Sequence, residues 1–483
     1  MSAIQTITIF ALTIGYVVLL FGIFLMSIAF LNWFKYRRYK LDPKHRPTFS
    51  LIVPAHNEEK VIERTITRFL DTHYSKDKKE MIIVNDSSTD RTEEIVRKYA
   101  HKVINFDEKT IHFTNSNFKN IILINRHKGR RGKSYSLNSA EKFAKNDVLF
   151  FIDADIQINP DVFEKAARHF VDNKVGAVSG YVEVNSPKNF LSKLLDFEYV
   201  TGQKLLRRGF NVIGVHYIVP GGCAIIRRDV VRKIGWYHHD TLAEDTDLTW
   251  RIMTDAHKDI HFDPSIHVKA DEPTRLSSLW GQRVRWARGN LEVTWKHKHK
   301  IGDKKYGNEV TIGFPFWISS MVLPFAFMLS ACAAILATTI NVSYFLVPII
   351  AKFIGISFII TWMVGTIINR GKSWLEGLLS PGLPMLISIF SLILINGGLA
   401  SFIASFGFPF IGLLLSVMLG AWILVAVPGT YLCMHFISKN NSKFFELMQL
   451  LIFGYWMFII TTIVDAYVKE LLGTEKRWTR TER

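Results

Sequence analysis

The feature that most narrows what this chain can fold into is the absence of charge over long stretches of its second half. Val310 to Ala351, Phe353 to Asn369, Gly377 to Met434 and Leu447 to Val464 contain no Asp, Glu, Lys or Arg. A helical crossing of a bilayer needs roughly 20 apolar residues, because lipid offers the backbone no hydrogen-bond partners and only the intrahelical ladder satisfies it. The tracts therefore allow about five crossings. A further tract, Ile7 to Trp33, precedes the first charge at Lys35. It is too long for a signal-peptide core and lacks a small-residue cleavage site, so it predicts a retained anchor over 1–34.

Charge orients these tracts. Lys and Arg outnumber Asp and Glu by 59 to 42, a formal balance of +17, and in a membrane protein such an excess belongs to cytoplasmic loops. The run Lys35-Tyr-Arg-Arg-Tyr-Lys40, the loops Arg370 to Lys372 and Lys439 to Lys443, and the tail Lys476 to Arg483 all ask for that side. Five crossings after residue 300 would leave the tail outside, so about four true spans are expected within 310–470, with 471–483 as a basic cytosolic tail. The Pro-punctuated Ile312 to Pro324 stretch and the last tract are the candidates for an interfacial or re-entrant segment. The expectation is a multi-pass cell-membrane protein whose 45–300 domain is cytosolic. Cys223, Cys332 and Cys433 stand far apart, which excludes a disulfide framework and a local zinc site.

Between Thr48 and Ile152 the texture is different. Apolar runs at Phe49 to Val53, Met81 to Val84, Ile121 to Ile124 and Val148 to Ile152 alternate with polar windows such as Glu58 to Leu70 and Asp90 to Tyr99. That rhythm predicts βαβ units, an α/β fold and a mostly parallel sheet, whose ligands bind beyond the carboxyl ends of the strands. Further on, a helix from Pro160, a strand near Ala177 to Val184 and an amphipathic stretch from Phe190 to Gly209 are expected.

The strand ends carry the chemistry. The first runs into Val53-Pro-Ala-His-Asn-Glu-Glu59 and the second into Val84-Asn-Asp-Ser-Ser-Thr-Asp90, where hydroxyls suit the cap of the next helix. The third is followed by Asn125-Arg-His-Lys-Gly-Arg-Arg-Gly-Lys-Ser134, a basic, glycine-containing approach to a helix that suits a diphosphate but lacks Walker spacing. The fourth ends in Asp153-Ala-Asp155. Two carboxylates closing an apolar strand need a counter-charge, and a hard divalent cation bridging to phosphate supplies one. Val219-Pro-Gly-Gly-Cys-Ala-Ile-Ile-Arg-Arg228 is a Gly-Gly bend opening into a strand, and it permits close backbone approach to a ligand. In Leu242-Ala-Glu-Asp-Thr-Asp-Leu-Thr-Trp-Arg251, acids crowd a helix N-terminus. Dipole complementation explains part of that crowding, and Glu244 and Asp245 are candidates for a general base toward a sugar hydroxyl. Finally, Ser278 to Asn290 reads as a helix with Gln282, Arg285 and Trp286 on one face. Such a face suits a phosphate and a sugar, and equally an amphipathic helix with a snorkelling Arg.

Taken in order, these motifs resemble the membrane-embedded processive glycosyltransferases of the inverting, nucleotide-sugar-dependent family 2, the synthases of poly-N-acetylglucosamine, hyaluronan, chitin and cellulose. The resemblance runs from about Thr48 to Lys300 and returns in Trp478-x-x-Thr481-x-Arg483. Glu244-Asp-Thr-Asp-Leu-Thr-Trp250 and Gln282-Arg-Val-Arg-Trp-Ala-Arg-Gly289 look most like the bacterial poly-β-1,6-N-acetylglucosamine synthases. The resemblance implies a cytosolic GT-A (Rossmann-like) domain with an α-helical transmembrane domain. It implies a UDP-sugar such as UDP-N-acetylglucosamine as donor, and Mg²⁺ or Mn²⁺ as cofactor.

Carried over residue by residue, the resemblance gives Asp86 to the nucleotide base with Pro54, Ala55 and Glu58, and Lys133 to the diphosphate. It gives Asp153 to the sugar and Asp155 to the metal. Asp245 becomes the catalytic base, Gln282 and Arg285 hold the diphosphate, and Gly221, Gly222, Cys223, Glu244 and Trp286 surround the acceptor. The chain departs from the pattern at Asn85-Asp86-Ser87-Ser88, where Asp-Asp-Gly-Ser is usual. It departs again at Ala243, where Thr is usual, and at Pro220-Gly221-Gly222, where Ser-Gly or Thr-Gly is common. These changes bear on donor and acceptor identity. Two further readings compete: single-sugar transfer to a lipid or polyprenyl-phosphate acceptor, and a non-enzymatic membrane scaffold. Membrane lipid and an accessory subunit remain as partners; nucleic acid does not, since no recognition motif is present.

Overall fold

The computed structural model describes residues 41–127, 132–187, 189–207, 210–211, 214–216, 218–307, 309–314, 317–318, 458–459 and 461–474. The anchor expected over 1–34, nearly all of the uncharged tracts, Lys128 to Arg131 of the basic loop and the Trp478 to Arg483 motif lie outside the described residues. Among the described residues no helix is long and apolar enough to cross a membrane. The chain divides into two units. The larger contains the described residues of Tyr36–Tyr199, Phe210–Ile318 and Asp465–Arg483; the smaller contains those of Val200–Gly209 and Ser319–Val464. In the smaller unit the structure describes a π-helical stretch, Val200–Arg207, and the helical residues 458–459 and 461–464.

The larger unit is built, among the described residues, on one ten-stranded sheet. Its middle holds β1 (Phe49–Ala55), β2 (Lys79–Asp86), β5 (Ile121–Arg126) and β6 (Val148–Phe151), all parallel. These strands read as continuous apolar runs because both faces are covered, and Leu51, Ile52, Val53, Ile82, Ile83, Leu149 and Phe150 are fully buried. Helix α1 (Ile62–Leu70) covers one face with Ile62, Thr65, Ile66 and Phe69, a spacing of three and four that places all four on one stripe. Helix α2 (Thr92–Tyr99) follows β2, and α3 (Lys133–Ser139) follows β5.

The sequence rhythm predicts a mostly parallel sheet, and the second half departs from it. The strand β8 (Val175–Val184) is followed by helix α5 (Phe190–Tyr199) and then by β9 (Ala224–Arg227), which enters antiparallel to both β6 and β8. The hairpin β3 (Lys102–Asn105) and β4 (Thr110–Phe113), the short β7 (Gln157–Ile158) and the long β10 (Asp259–Ala270) complete the sheet, whose order is β4-β3-β5-β2-β1-β6-β9-β8-β10-β7. The reversed β9 matters for the site: Ala224 opposes Phe151, so the Gly-Gly bend before β9 arrives where β6 ends.

Pro54 and Ala55 belong to β1 rather than to the loop after it. A proline is tolerated there because pairing with β6 stops at Ile52 opposite Phe151, leaving one edge of β1 with no ladder to break. Helix α4 (Val162–Ala167), α6 (Arg228–Ile234), α7 (Glu244–Thr254) and α8 (Leu276–Lys296) pack around the sheet.

Candidate active site

Because β1, β2, β5 and β6 are parallel, Ala55, Asp86, Arg126 and Phe151 end on one edge of the sheet. The loops after β1 and β2 are stitched across it. Asn57 N–H donates to Ser88 Oγ (3.0 Å), Glu58 N–H to Thr92 Oγ1 (2.8 Å) and Glu59 N–H to Asp90 Oδ2 (3.1 Å). The hydroxyls expected to cap the second helix thus mainly serve the neighbouring loop, while Asp90 still accepts from Thr92 N–H at 3.0 Å. Asp86 is almost wholly buried and stands 3.3 Å from Arg126, its partner in strand register. Arg126 also donates to Ser136 Oγ in α3 at 3.3 Å.

A second group of charges gathers where α3, the β6 turn, the Gly-Gly bend and α7 meet. Lys133 Nζ lies 2.6 Å from Asp153 Oδ1 and 3.5 Å from Glu244 Oε1. Asp245 Oδ2 accepts from Gly221 N–H at 3.0 Å. A Cβ at position 221 would come within 2.7 Å of Lys133 Nζ, so glycine keeps the ammonium in place. Burial alone would lower the Lys133 pKa, but Asp153, then Glu244 and Asp245, outweigh it and raise it above the ordinary lysine value. Burial pushes the Glu244 carboxyl up; Lys133 opposes that shift and Asp245 adds to it. Gly222 abuts Ile156, and Cys223 is fully buried beside Gly180, its side chain in the core.

The Asp153-Ala-Asp155 turn is tied to α1, where Thr65 Oγ1 donates to the Ala154 carbonyl (2.6 Å) and Arg64 to the Asp155 carbonyl (3.4 Å). The Asp155 side chain is buried. Among the described residues no group of three or more His, Cys, Asp or Glu side chains is gathered to hold a metal. What the turn offers is carboxylate oxygen, the ligand type of a hard cation, at Asp155, while Asp153 is engaged by Lys133.

Helix α8 approaches this group closely. A Cβ on Gly289 would lie 2.6 Å from both the Cβ and the backbone N of Ala243, so only glycine allows the contact. Around it, Leu242 N–H donates to Glu292 Oε2 (2.7 Å) and Thr246 Oγ1 to Asn290 Oδ1 (3.3 Å). Arg285 is near enough to lower the Glu244 pKa, against the larger effect of burial. Gln282 Oε1 is buried with no hydrogen-bond partner among the described residues. Trp286 is half-buried, with the Arg283 guanidinium 4.7 Å from its ring centroid. Residues close to the end of the chain brace the same helix: Trp280 Nε1 donates to Asp465 Oδ2 (2.9 Å), and Arg288 bonds Glu470 and the Thr474 carbonyl.

The residues singled out from sequence therefore fall into an Asp86 group with Pro54, Ala55 and Glu58, an acid group around Lys133, and the α8 face. Sequence reasoning missed the specific place of Arg126, which it counted within a basic loop; its position opposite Asp86 needed the register. It also missed Tyr237. That ring is buried edge-on against Phe151 at 5.2 Å, and Asn138 pins its backbone at both N–H (3.1 Å) and carbonyl (2.8 Å). Its hydroxyl has no hydrogen-bond partner among the described residues. Burial, then Glu244, Asp245 and Asp153, raise its pKa well above the ordinary tyrosine value. No motif flags it.

Comparison with known proteins bears on this arrangement. Residues 50–235 match the family described as glycosyl transferase family 2, and residues 148–368 match glycosyl transferase family group 2. The chain is 32% identical over 307 residues to the probable glycosyltransferase YdaM of Bacillus subtilis (strain 168), covering 60% of this chain and 68% of that protein. It is 28% identical over 245 residues to the poly-beta-1,6-N-acetyl-D-glucosamine synthase of Staphylococcus aureus (strain COL), covering 50% of this chain and 55% of that one. Among solved structures, the fold is similar to the mannosyltransferase PcManGT of Pyrobaculum calidifontis, in complex with GDP-Man and Mn2+. The TM-score there is 0.55 at 21% identity, over 82% of this chain and 99% of that one. The α/β unit is accordingly GT-A-like, as the motifs led us to expect.

Proposed function

Because this chain belongs to glycosyltransferase family 2, we propose that it is an inverting enzyme that moves a sugar from a nucleotide-sugar, UDP-N-acetylglucosamine first among candidates, to a growing polysaccharide at a membrane. The observation that carries this reading is the Asp245 carboxylate, held by Gly221 N–H at 3.0 Å beside the Lys133–Asp153 pair. It is an acceptor for a proton set next to a half-buried cation, the two elements that attack by a hydroxyl and departure of a diphosphate require.

In this reading Asp86, backed by Arg126, receives the nucleotide base beside Ala55 and Glu58. Lys133 stands next to the diphosphate and Asp153 binds the donor sugar. Asp155 would hold Mg²⁺ or Mn²⁺, which would supply positive charge to the leaving group. Asp245 takes the proton of the acceptor hydroxyl as that oxygen bonds to the anomeric carbon, and the carbon's bond to the diphosphate oxygen breaks on the opposite face. Gln282 and Arg285 steady the diphosphate, and Trp286 forms the floor under the acceptor. The uncharged tracts would give a polar polymer a protein-lined route through lipid, which has none of its own.

The test is purified full-length protein with a panel of UDP- and GDP-sugars and either Mg²⁺ or Mn²⁺, reading diphosphate release and product length. A ladder of products with one UDP-sugar is expected. One discrete lipid-linked band would instead establish single transfer, and release with no sugar would overturn the enzymatic reading.

A further inference from the structure

Arg283 lies inside the same motif as Gln282, Arg285 and Trp286, yet it turns to a partner from another part of the chain. Its Nη1 donates to Glu198 Oε1 at 2.9 Å and its Nη2 to Glu198 Oε2 at 2.8 Å, a two-pronged pair in which both side chains are largely buried. Glu198 belongs to α5, and α5 with the residue preceding it is tied to the approach of α8 at two more points. Tyr199 Oη donates to Glu272 Oε1 (2.7 Å) and Asn189 Nδ2 to the Thr274 carbonyl (3.3 Å).

A free arginine in water samples many rotamers, whereas a buried fork on a carboxylate fixes both the position and the plane of the guanidinium. That fixed plane lies 4.7 Å from the centroid of the Trp286 ring. The indole quadrupole attracts the cation, and the contact removes side-chain freedom from the ring. With the guanidinium on one face, a flat, partly apolar ligand such as a pyranose ring, which stacks through its C–H groups, would take the other.

We infer that Glu198 and Arg283 are positioning residues that hold the Trp286 indole ready for the acceptor sugar. The inference rests on the proposed assignment of Trp286 to the acceptor. Glu198 fixes Arg283, Arg283 fixes Trp286, and neither of the first two touches the reacting atoms.

The experiment compares the full-length protein with its Arg283→Lys, Glu198→Gln and Trp286→Ala variants, using UDP-N-acetylglucosamine as donor and a short N-acetylglucosamine oligomer as acceptor. Arg283→Lys keeps the charge and removes the fork and the plane. It is expected to raise the acceptor KM about tenfold while donor KM and donor hydrolysis stay within about twofold. Glu198→Gln should act in the same direction and less. Adding Arg283→Lys to Trp286→Ala should change nothing further; multiplying losses, or donor KM rising in step, would overturn the inference. A second measurement is independent of turnover: in protein labelled with 5-fluorotryptophan, the Trp286 fluorine resonance, identified by its loss in Trp286→Phe, should move in Arg283→Lys with no sugar present. A resonance that stays put also overturns the inference. An unchanged acceptor KM in Trp286→Ala would instead remove the assignment of Trp286, leaving the fluorine result to decide the brace.

Discussion

Two carboxylates two residues apart on α7 live in opposite conditions. Asp247 is fully buried and saturated with partners: Arg251 Nε at 2.8 Å, His297 Nε2 at 2.8 Å and Lys296 Nζ at 2.9 Å, with His238 Nδ1 at 3.4 Å. Burial alone would raise its pKa, but the His297 hydrogen bond, Arg251 and Lys296 outweigh that and hold it well below the usual carboxylate range. Asp245 has two backbone N–H donors, from Gly221 and Thr246, and its neighbour Glu244 is shifted upward. Asp247 is fully satisfied and fastens α7 to α8 through Lys296. Glu244 and Asp245, in the same first turn, stand near Tyr237, whose Oη has no hydrogen-bond partner among the described residues. A satisfied charge supports a fold, and an incompletely satisfied one is available to a substrate.

The largest effect that would test this contrast is on turnover. Asp245→Asn should lower kcat by about a thousandfold while nucleotide binding by calorimetry stays near normal. Turnover close to wild type would end its assignment as base. Asp247→Asn should act on stability instead, at about 3–5 kcal/mol in denaturant unfolding, because it strands buried cations. A loss no greater than that of Asp245→Asn would erase the difference between the two carboxylates.

The pH dependence sharpens the same point. The folded pKa of Asp247 lies below its unfolded value, so its stabilisation is present above the unfolded pKa and is lost as pH falls toward the folded one. Asp247→Asn should therefore flatten the acid limb of a stability profile. The folded pKa of Glu244 lies above its unfolded value, so its contribution is present at low pH and is lost as pH rises through the folded pKa. Glu244→Gln should therefore gain stability on wild type toward neutral pH, and a gain confined to acid conditions would contradict the assignment.

Smaller effects follow at the contacts around this first turn of α7. Gly289→Ala would press a methyl against Ala243, and should cost about 1–3 kcal/mol with a parallel loss of kcat as Arg285 shifts from Glu244. Unchanged thermal unfolding would show that α8 has room to move. Tyr237→Phe should leave the unfolding midpoint unchanged or slightly higher, since it removes a buried hydroxyl without a hydrogen-bond partner among the described residues. Its kcat/KM should fall by only about threefold to tenfold, measured with the preferred donor. No change at all would make the hydroxyl irrelevant to substrate.

Much of this was legible in the residues. The four central strands follow from apolar runs buried on both faces, and their carboxyl ends follow from the parallel rule, so Asp86, Asp153 and the basic approach to α3 could be placed on one edge. The helix bounds shifted by a few residues because the capping groups bond the neighbouring loop. The reversal at β9 was not legible, since a four-residue apolar strand has the same pattern in either direction. Nor was Cys223, whose burial depends on which strand lies beside it.

The sequence by itself determined the family, the parallel core and which acids and amides stand at element ends, because each depends on local periodicity or on motif order. Only the tertiary structure decided the pairings: Lys133 with Asp153, Gly221 with Asp245, Arg126 with Asp86, Glu198 with Arg283, and Asp465 and Glu470 with α8. These are contacts between residues up to 186 positions apart, as in Arg288 with Thr474. Charge and hydrogen bonding act over a few ångströms of space, and no local pattern in the chain encodes which distant groups will share them.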